Sequence, residues 1–125
     1  MDETRKLAGL RVLVVEDSLL VAEVIAETLE DCGCSVVGPV SRVQRALPLA
    51  EHEALHGAVL DVNLAGEFCF PIAEALDARG VPFIFLTGYG DAEALPPRFQ
   101  ARPVVGKPFV PRDLVGLMHE QFRRD

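Results

Sequence analysis

Acidic, hydroxyl and ammonium side chains stand at the ends of apolar runs in this 125-residue chain. Glu16 and Asp17 follow one run, Asp61 ends a second, and Thr87 and Lys107 come after two later ones. Carboxylates that are brought together repel one another, and each raises the pKa of the others unless a cation joins them. Oxygen ligands without His or Cys select a hard ion, and Mg²⁺ suits a site with few protein oxygens. The residue types therefore predict a magnesium site.

Asp61 is the best placed nucleophile, because it lies in an apolar stretch that predicts a middle strand. Attack of its carboxylate on a phosphoryl donor would form an acyl phosphate. The Thr87 hydroxyl would donate a hydrogen bond to the transferred group, and Lys107 would supply a mobile positive charge. The predicted chemistry is phosphoryl transfer to an aspartate.

These residues need elements that bring them to one place, and the chain alternates strand and helix patterns from end to end. The predicted strands cover residues 10–16, 34–40, 57–63, 81–88 and 102–106. The predicted helices cover residues 18–33, 41–55, 71–80 and 111–125. Nearly continuous apolar strands that alternate with helices indicate a doubly wound α/β fold, with a five-stranded parallel sheet covered on both faces. Ligands bind beyond the carboxyl ends of such strands, where all five candidate residues are expected.

Local signals predict how the helices begin. Asp17 or Ser18 could cap the first helix, and Ser41 with Gln44 forms an S-x-x-Q capping box for the second, which Pro48 should disturb. Pro71 stands where a first helical position is expected.

Helical spacing predicts the buried faces. The first helix is expected to turn inward Val21, Val24, Ile25, Thr28 and Leu29, and the last helix Leu114, Leu117, Met118 and Phe122. A segment at 91–95 should be a short helix or none, because two prolines at 96 and 97 end it.

Composition bounds the function further. The length suits one domain, residues 1–125 with a core of about 10–122 and no output domain, and the net charge of −7 argues against nucleic-acid binding. The sequence has no signal peptide and no membrane span, which predicts a cytoplasmic protein. Its three cysteines are expected to be reduced and partly buried, and His52 and His56 to lie on a solvated helix face rather than to bind a metal.

Four motifs in this order carry a family resemblance. "VVED" at 14–17, "AVLDVNL" at 58–64, "FLTGYG" at 85–90 and "VGKPF" at 105–109 resemble the receiver domain of bacterial response regulators in two-component signalling. The resemblance covers about residues 10–122 and implies a flavodoxin-like fold with strand order 2-1-3-4-5. The "TGYG" motif is similar to the subgroup with a Phe-Ala-Thr-Gly-Tyr signature, which includes many stand-alone receivers, although Leu86 occupies the alanine position.

The resemblance implies a role for each matching residue. Asp61 would be the phospho-acceptor, charged by a histidine kinase or a histidine phosphotransfer protein, and the domain would act as a phospho-switch or a phosphate sink. Asp17 would bind Mg²⁺ directly, Glu16 largely through water, and Asn63 through its backbone carbonyl, with Mn²⁺ as a substitute ion. Thr87 and Lys107 match the switch hydroxyl and the phosphate-pairing lysine. Such a domain catalyses only its own phosphorylation and dephosphorylation and is not otherwise an enzyme.

The peptide bond between Lys107 and Pro108 is expected to be cis, because the ammonium must point at the phosphate while the chain turns into the last helix. The receiver resemblance also suggests this bond.

Two positions depart from the family pattern. Val104 stands where most receivers carry Tyr or Phe, and Ala65 replaces the usual proline four residues after the acceptor. Without the aromatic ring, the switch is expected to use the segment from Thr87 to about residue 98. Tyr89, between two glycines, is the candidate switch residue of that segment.

Two other functions remain open on the sequence. One is a phosphorylation-independent interaction module of the same fold. The other is an aspartyl phosphatase of the haloacid-dehalogenase type, against which Asn63 argues, because such an enzyme needs an acid two residues after its nucleophile.

Overall fold

A five-stranded parallel sheet organises the part of the chain that the computed structural model describes, residues 7–88 and 90–122. Its strands are β1 (Arg11–Val15), β2 (Ser35–Val40), β3 (Gly57–Asp61), β6 (Phe83–Thr87) and β7 (Val104–Gly106). The order is β2-β1-β3-β6-β7, and every neighbouring pair is parallel. The predicted doubly wound, flavodoxin-like order 2-1-3-4-5 is therefore confirmed, with β6 and β7 as the fourth and fifth sheet strands.

Helices cover both faces of the sheet. They are α1 (Leu19–Asp31), α2 (Val43–His52), α3 (Phe70–Ala78) and α4 (Pro111–Gln121). Successive strand residues point to opposite faces, so Leu13 packs with α2 and α3 while Val12 and Val14 pack with α1 and α4. Two apolar layers result, one on each face of the sheet beneath the site. No helix among the described residues combines the length and apolarity that a membrane crossing needs.

Of the two residues predicted as possible caps of helix α1, Asp17 and Ser18, the structure shows Ser18. Ser18 is its N-cap, and its hydroxyl accepts a hydrogen bond from the Val21 N–H at 3.4 Å. The expectation that Val24 faces the core is wrong, since Val24 is 41% exposed. Ala22 is buried instead, because it lies on the same side of the helix as Ile25 and Leu29.

The capping box predicted for helix α2 is wrong. Arg42 is the N-cap, its backbone is extended, and no side chain caps the helix there. The helix ends at His52, short of Leu55, and Pro48 lies inside it without ending it. Pro48 is exposed, so the carbonyl that loses its helical donor can be hydrated.

A β-hairpin replaces the loop expected after the third strand. Strands β4 (Asn63–Leu64) and β5 (Glu67–Phe68) pair antiparallel, and Ala65 and Gly66 between them have φ of 55° and 95°. Positive φ at both central residues is the geometry of a type I′ turn. A proline, with φ near −65°, could not occupy position 65, which gives the Ala65 departure a physical reason.

Helix α3 begins one residue earlier than predicted. Phe70 is its first residue, so Pro71 stands at the second helical position. The segment after β6 forms two 3₁₀ turns, Asp91–Ala94 and Pro97–Phe99, in place of a regular helix, as its prolines predicted. Leu95 and Phe99 from this segment are buried.

Candidate functional site

Three acidic residues converge at the carboxyl edge of the sheet. Asp61 is the last residue of β3 and is fully buried, Glu16 follows β1 and is 2% exposed, and Asp17 beside it is exposed. One carboxylate oxygen from each lies within 4.8 Å of the others. Strands β1 and β3 are neighbours and parallel, so their carboxyl ends lie at the same edge and bring the three acids together.

Lys107 joins the cluster from the far strand. Its Nζ donates to Asp61 Oδ2 at 3.1 Å and to Glu16 Oε1 at 3.3 Å. The Lys107 backbone N–H donates to the Thr87 carbonyl at 2.7 Å, which fixes the lysine just beyond β7. The Lys107–Pro108 peptide bond is cis, and so is the Gly38–Pro39 bond.

Backbone groups orient the acids. The Ser18 N–H donates to Glu16 Oε2 at 2.9 Å, and the Asn63 N–H donates to Asp61 Oδ1 at 3.4 Å. The Asn63 side-chain oxygen accepts from the Gly66 N–H at 2.7 Å, so this side chain serves the hairpin turn. Sequence reasoning missed these contacts because they depend on the geometry of the turns.

Thr87 ends β6 and is buried at the same edge. Strand β6 pairs with β3, with Leu86 opposite Asp61, so Thr87 lies one residue beyond the acid on the neighbouring strand. Within the described residues its hydroxyl makes no hydrogen bond to the carboxylates. The loop that follows is held by the Gly88 N–H, which donates to Asp91 Oδ2 at 2.9 Å.

Of the predicted switch positions Val104 and Tyr89, the structure describes only Val104. Val104 lies on the edge strand β7 and is 37% exposed. Tyr89 lies outside the described residues.

Burial and the close contact of these groups shift the pKa values of Asp61, Asp17 and Lys107 in different directions. Burial raises the pKa of Asp61 to about 8, hydrogen bonding with Asp17 and Glu16 and the negative charge of Glu16 add to this, and hydrogen bonding with Lys107 opposes it. Burial also acts to raise the pKa of Asp17, but hydrogen bonding with Asp61 and Glu16 outweighs it and the pKa is lowered. Burial acts to lower the pKa of Lys107, whereas its carboxylate partners Asp61 and Glu16 raise it overall. The site therefore holds excess negative charge that a cation would relieve.

The donor set fits the predicted ion. Glu16, Asp17 and Asp61 offer carboxylate oxygens only, and no His or Cys belongs to this group in the described part of the chain. All-oxygen sites of this kind suit Mg²⁺ rather than zinc or copper. Mg²⁺ is thus the ion that these residues could hold.

Comparisons with known proteins agree with this geometry. A family model described as the response regulator receiver domain matches residues 12–119. The solution structure of SdrG from Sphingomonas melonis Fr1 is 38% identical with a TM-score of 0.79, and the match covers 95% of this chain and 98% of that one. No curated protein sequence matches the chain.

Two further solved structures have the same fold. The receiver domain of sensor histidine kinase PA1611 from Pseudomonas aeruginosa PAO1, which has a magnesium ion coordinated in its active site cleft, is 25% identical with a TM-score of 0.78; the match covers 92% of this chain and 98% of that one. The response regulator PhyR from Brucella abortus is 28% identical with a TM-score of 0.79. That match covers 96% of this chain but 50% of PhyR.

Proposed function

The chain belongs to the response regulator receiver domain family, and from that premise we propose that it is a response regulator that accepts a phosphoryl group on Asp61. One observation carries the proposal: the buried Asp61 carboxylate lies in the three-acid cluster, 3.1 Å from the Lys107 ammonium. A nucleophile, its counter-charge and a set of metal ligands are thus in contact at one edge of the sheet.

The proposed step forms one bond and breaks one. An Asp61 carboxylate oxygen attacks the donor phosphorus, the bond from phosphorus to the leaving group breaks, and an acyl phosphate results. The Lys107 ammonium, already held at Asp61, pairs with an oxygen of the new phosphoryl group, and the Thr87 hydroxyl donates to another. Glu16, Asp17, Asp61 and the Asn63 backbone carbonyl would hold Mg²⁺, or Mn²⁺ in its place, and the ion would supply charge neutralisation for the phosphoryl oxygens.

We further propose a donor and a role. The donor is a phosphohistidine of a histidine kinase or a histidine phosphotransfer protein, and the protein acts in the cytoplasm as a phospho-switch or a phosphate sink. The resemblance to SdrG and to the PA1611 receiver domain supports this assignment. A phosphatase of the haloacid-dehalogenase type needs an acid two residues after its nucleophile, and this chain has Asn63 there. This supports a protein that turns over only its own phosphoryl group. The segment from Thr87 to about residue 98 carries the output.

Phosphorylation by a small donor tests the proposal. The protein is incubated with acetyl phosphate and Mg²⁺, and intact mass spectrometry counts the phosphoryl groups gained. We expect one group on the wild type, none on Asp61→Asn, and none when a chelator removes the metal. Asp31→Asn, an exposed aspartate at the far end of α1, is the control and should be labelled like the wild type.

Three results would contradict the proposal. Full labelling of Asp61→Asn would remove Asp61 from its role. Failure of acetyl phosphate and of phosphorylated kinases to label the wild type would favour the phosphorylation-independent interaction module. Sustained hydrolysis of p-nitrophenyl phosphate would favour the phosphatase.

A further inference from the structure

An open cavity adjoins the acidic cluster. It has a volume of about 600 Å³ and lies between the loop after β1 and the start of α2. Glu16 and Asp17 from the loop after β1 line it, together with Arg42 and Arg45 from the start of α2. Arg42 and Asp17 also line a second opening, of about 440 Å³, toward the hairpin. Arg42 therefore borders both approaches to Asp17.

These two arginines have no acidic partner among the described residues, although most of the other arginines there are engaged. Arg11 pairs with Glu53, Arg98 with Glu74 and Arg102 with Asp77, and Arg79 donates to the carbonyls of Ala50 and Glu53. Arg42 and Arg45 are exposed, and neither forms an ion pair with a carboxylate of the described residues. Their positive charge is available to a ligand in the cavity.

The residues of the unformed capping box face the same space. Ser41 and Gln44 do not cap α2, and both line the cavity beside Arg42. The start of α2 thus presents two cations and two neutral polar side chains to a space that Glu16 and Asp17 also line. A ligand that suits this arrangement carries negative charge.

We propose that Arg42 and Arg45 select the phosphoryl donor by attracting its dianionic phosphoryl group toward Asp61. This inference rests on the proposed function. An anionic donor must approach three carboxylates in a chain of net charge −7, which repels it. Two unpaired arginines at the mouth of the site offset that repulsion and raise the local concentration of the donor. The source of the phosphoryl group is either a small molecule or a phosphohistidine, and the charge that is recognised is the same.

Donor kinetics test the proposal. Second-order rate constants for labelling at Asp61 are measured at low and at high salt with acetyl phosphate, and with phosphoramidate, which carries less negative charge. The proteins are the wild type, Arg42→Gln, Arg45→Gln and the double variant. Arg112→Gln is the matched control, because Arg112 is also exposed and without an acidic partner among the described residues, but it lies on α4, on the other face of the sheet.

We expect the double variant to react with acetyl phosphate about tenfold more slowly at low salt, and the difference should shrink at high salt. The loss should be smaller with phosphoramidate, and Arg→Lys substitutions should restore the rate. Mg²⁺ should bind the double variant at least as tightly as the wild type, because the substitutions remove positive charge near the ion. Slower labelling together with undiminished metal binding separates the charge effect from structural damage. A phosphorylated histidine phosphotransfer protein as donor then shows whether the same arginines act on a phosphohistidine.

Equal rates and equal salt dependence in the double variant and the wild type would overturn the proposal, as would an equal loss in Arg112→Gln or a failure of lysine to restore the rate. These outcomes leave the role of Asp61 intact. A wild type that is never labelled, or labelling that survives in Asp61→Asn, would instead overturn both the proposed function and this inference.

Discussion

Lys107 Nζ lies 3.1 Å from Asp61 Oδ2 although the two residues are 46 positions apart in the sequence. The contact exists because β3 and β7 are parallel members of one sheet and both end at the same edge. It places an ammonium against a buried carboxylate that also has two acidic neighbours. Without a metal ion, this lysine is the partner that offsets part of the negative charge of the cluster.

The raised pKa of Asp61 predicts a pH-dependent stability in metal-free buffer. The pKa is about 8 in the folded protein against an ordinary 3.8, so between these values the folded state binds the proton and the unfolded chain does not. Stability should therefore fall as the pH rises through this window. Asp61→Asn removes the titrating group and should be more stable than the wild type, by about 2 kcal/mol or more near pH 8 and by less near pH 5.

Urea denaturation with a chelator present, at several pH values, measures this difference. Asp31→Asn is the control and should follow the wild-type profile. An advantage of Asp61→Asn that stays constant with pH would show that the buried carboxyl titrates in its usual range.

The hairpin after Asp61 predicts an unusual response to glycine. Ala65 has a φ of 55°, a left-handed conformation that costs a residue with a Cβ about 1 kcal/mol. Ala65→Gly should thus stabilise the protein by about 1 kcal/mol, whereas Ala65→Pro should destabilise it by about 2 kcal/mol or more. Thermal or urea unfolding measures both, and Ala78→Gly at the end of α3 should show the ordinary loss of about 0.5 kcal/mol. A loss of stability in Ala65→Gly equal to that in Ala78→Gly would contradict the positive φ at Ala65.

Two glycines should respond to alanine in opposite ways. A Cβ at Gly57 would lie 2.6 Å from a ring carbon of Phe122, which is buried, so Gly57→Ala should destabilise the protein by about 2–3 kcal/mol. Gly116 lies in α4 and has open space around it, so Gly116→Ala should stabilise by about 0.5–1 kcal/mol. Unfolding midpoints of both variants and the wild type test these expectations. An unchanged midpoint in Gly57→Ala would show that the Phe122 ring can move away.

Burial of Phe99 predicts that the segment after β6 is anchored. The Phe99 ring lies 5.7 Å from Phe85, 5.9 Å from Phe83 and 6.2 Å from Phe70, measured between centroids. Phe99→Ala should cost about 3–4 kcal/mol. The control Phe68→Ala, at a ring 41% exposed, should cost about 1 kcal/mol, because it loses mainly the stack on Phe70. Similar losses in the two variants would show that the segment is not packed on the core.

The thiols are expected to be unreactive in the folded protein. All three cysteines are free and buried, and burial raises the pKa of Cys34 to about 11 and that of Cys69 to about 12. A maleimide at neutral pH should label the native protein slowly and all three thiols rapidly in urea, because thiolate is the reactive form. Mass spectrometry over time counts the labels, and rapid native labelling at Cys69 would contradict its burial beside the site.

The strand order was predicted from the resemblance of four motifs to receiver domains, and the edge that carries the site was predicted from the strand and helix patterns. Apolar runs and helical spacing are local properties, and the parallel topology that they imply sends every strand end to the same edge. Asp61, Glu16 and Lys107 could therefore be placed together before any distance was known, and the structure brings them into contact. The capping box predicted from Ser41 and Gln44 was wrong, because it is a local preference that the extended backbone at Arg42 overrides.

Tertiary structure alone decided the features that depend on contacts between elements. The turn at Ala65 takes a conformation that alanine avoids, and it is held there by strand pairing and by the Asn63 side chain. The 3₁₀ segment around Phe99 is set by burial among aromatic rings from β6 and α3, which no local pattern encodes. Arg42 and Arg45 face the acids because the loop after β1 and the start of α2 enclose one cavity. The Phe99 segment and the two arginines thus depend on groups distant in sequence that only the folded chain brings together, whereas the Ala65 turn depends on the pairing of two short neighbouring strands.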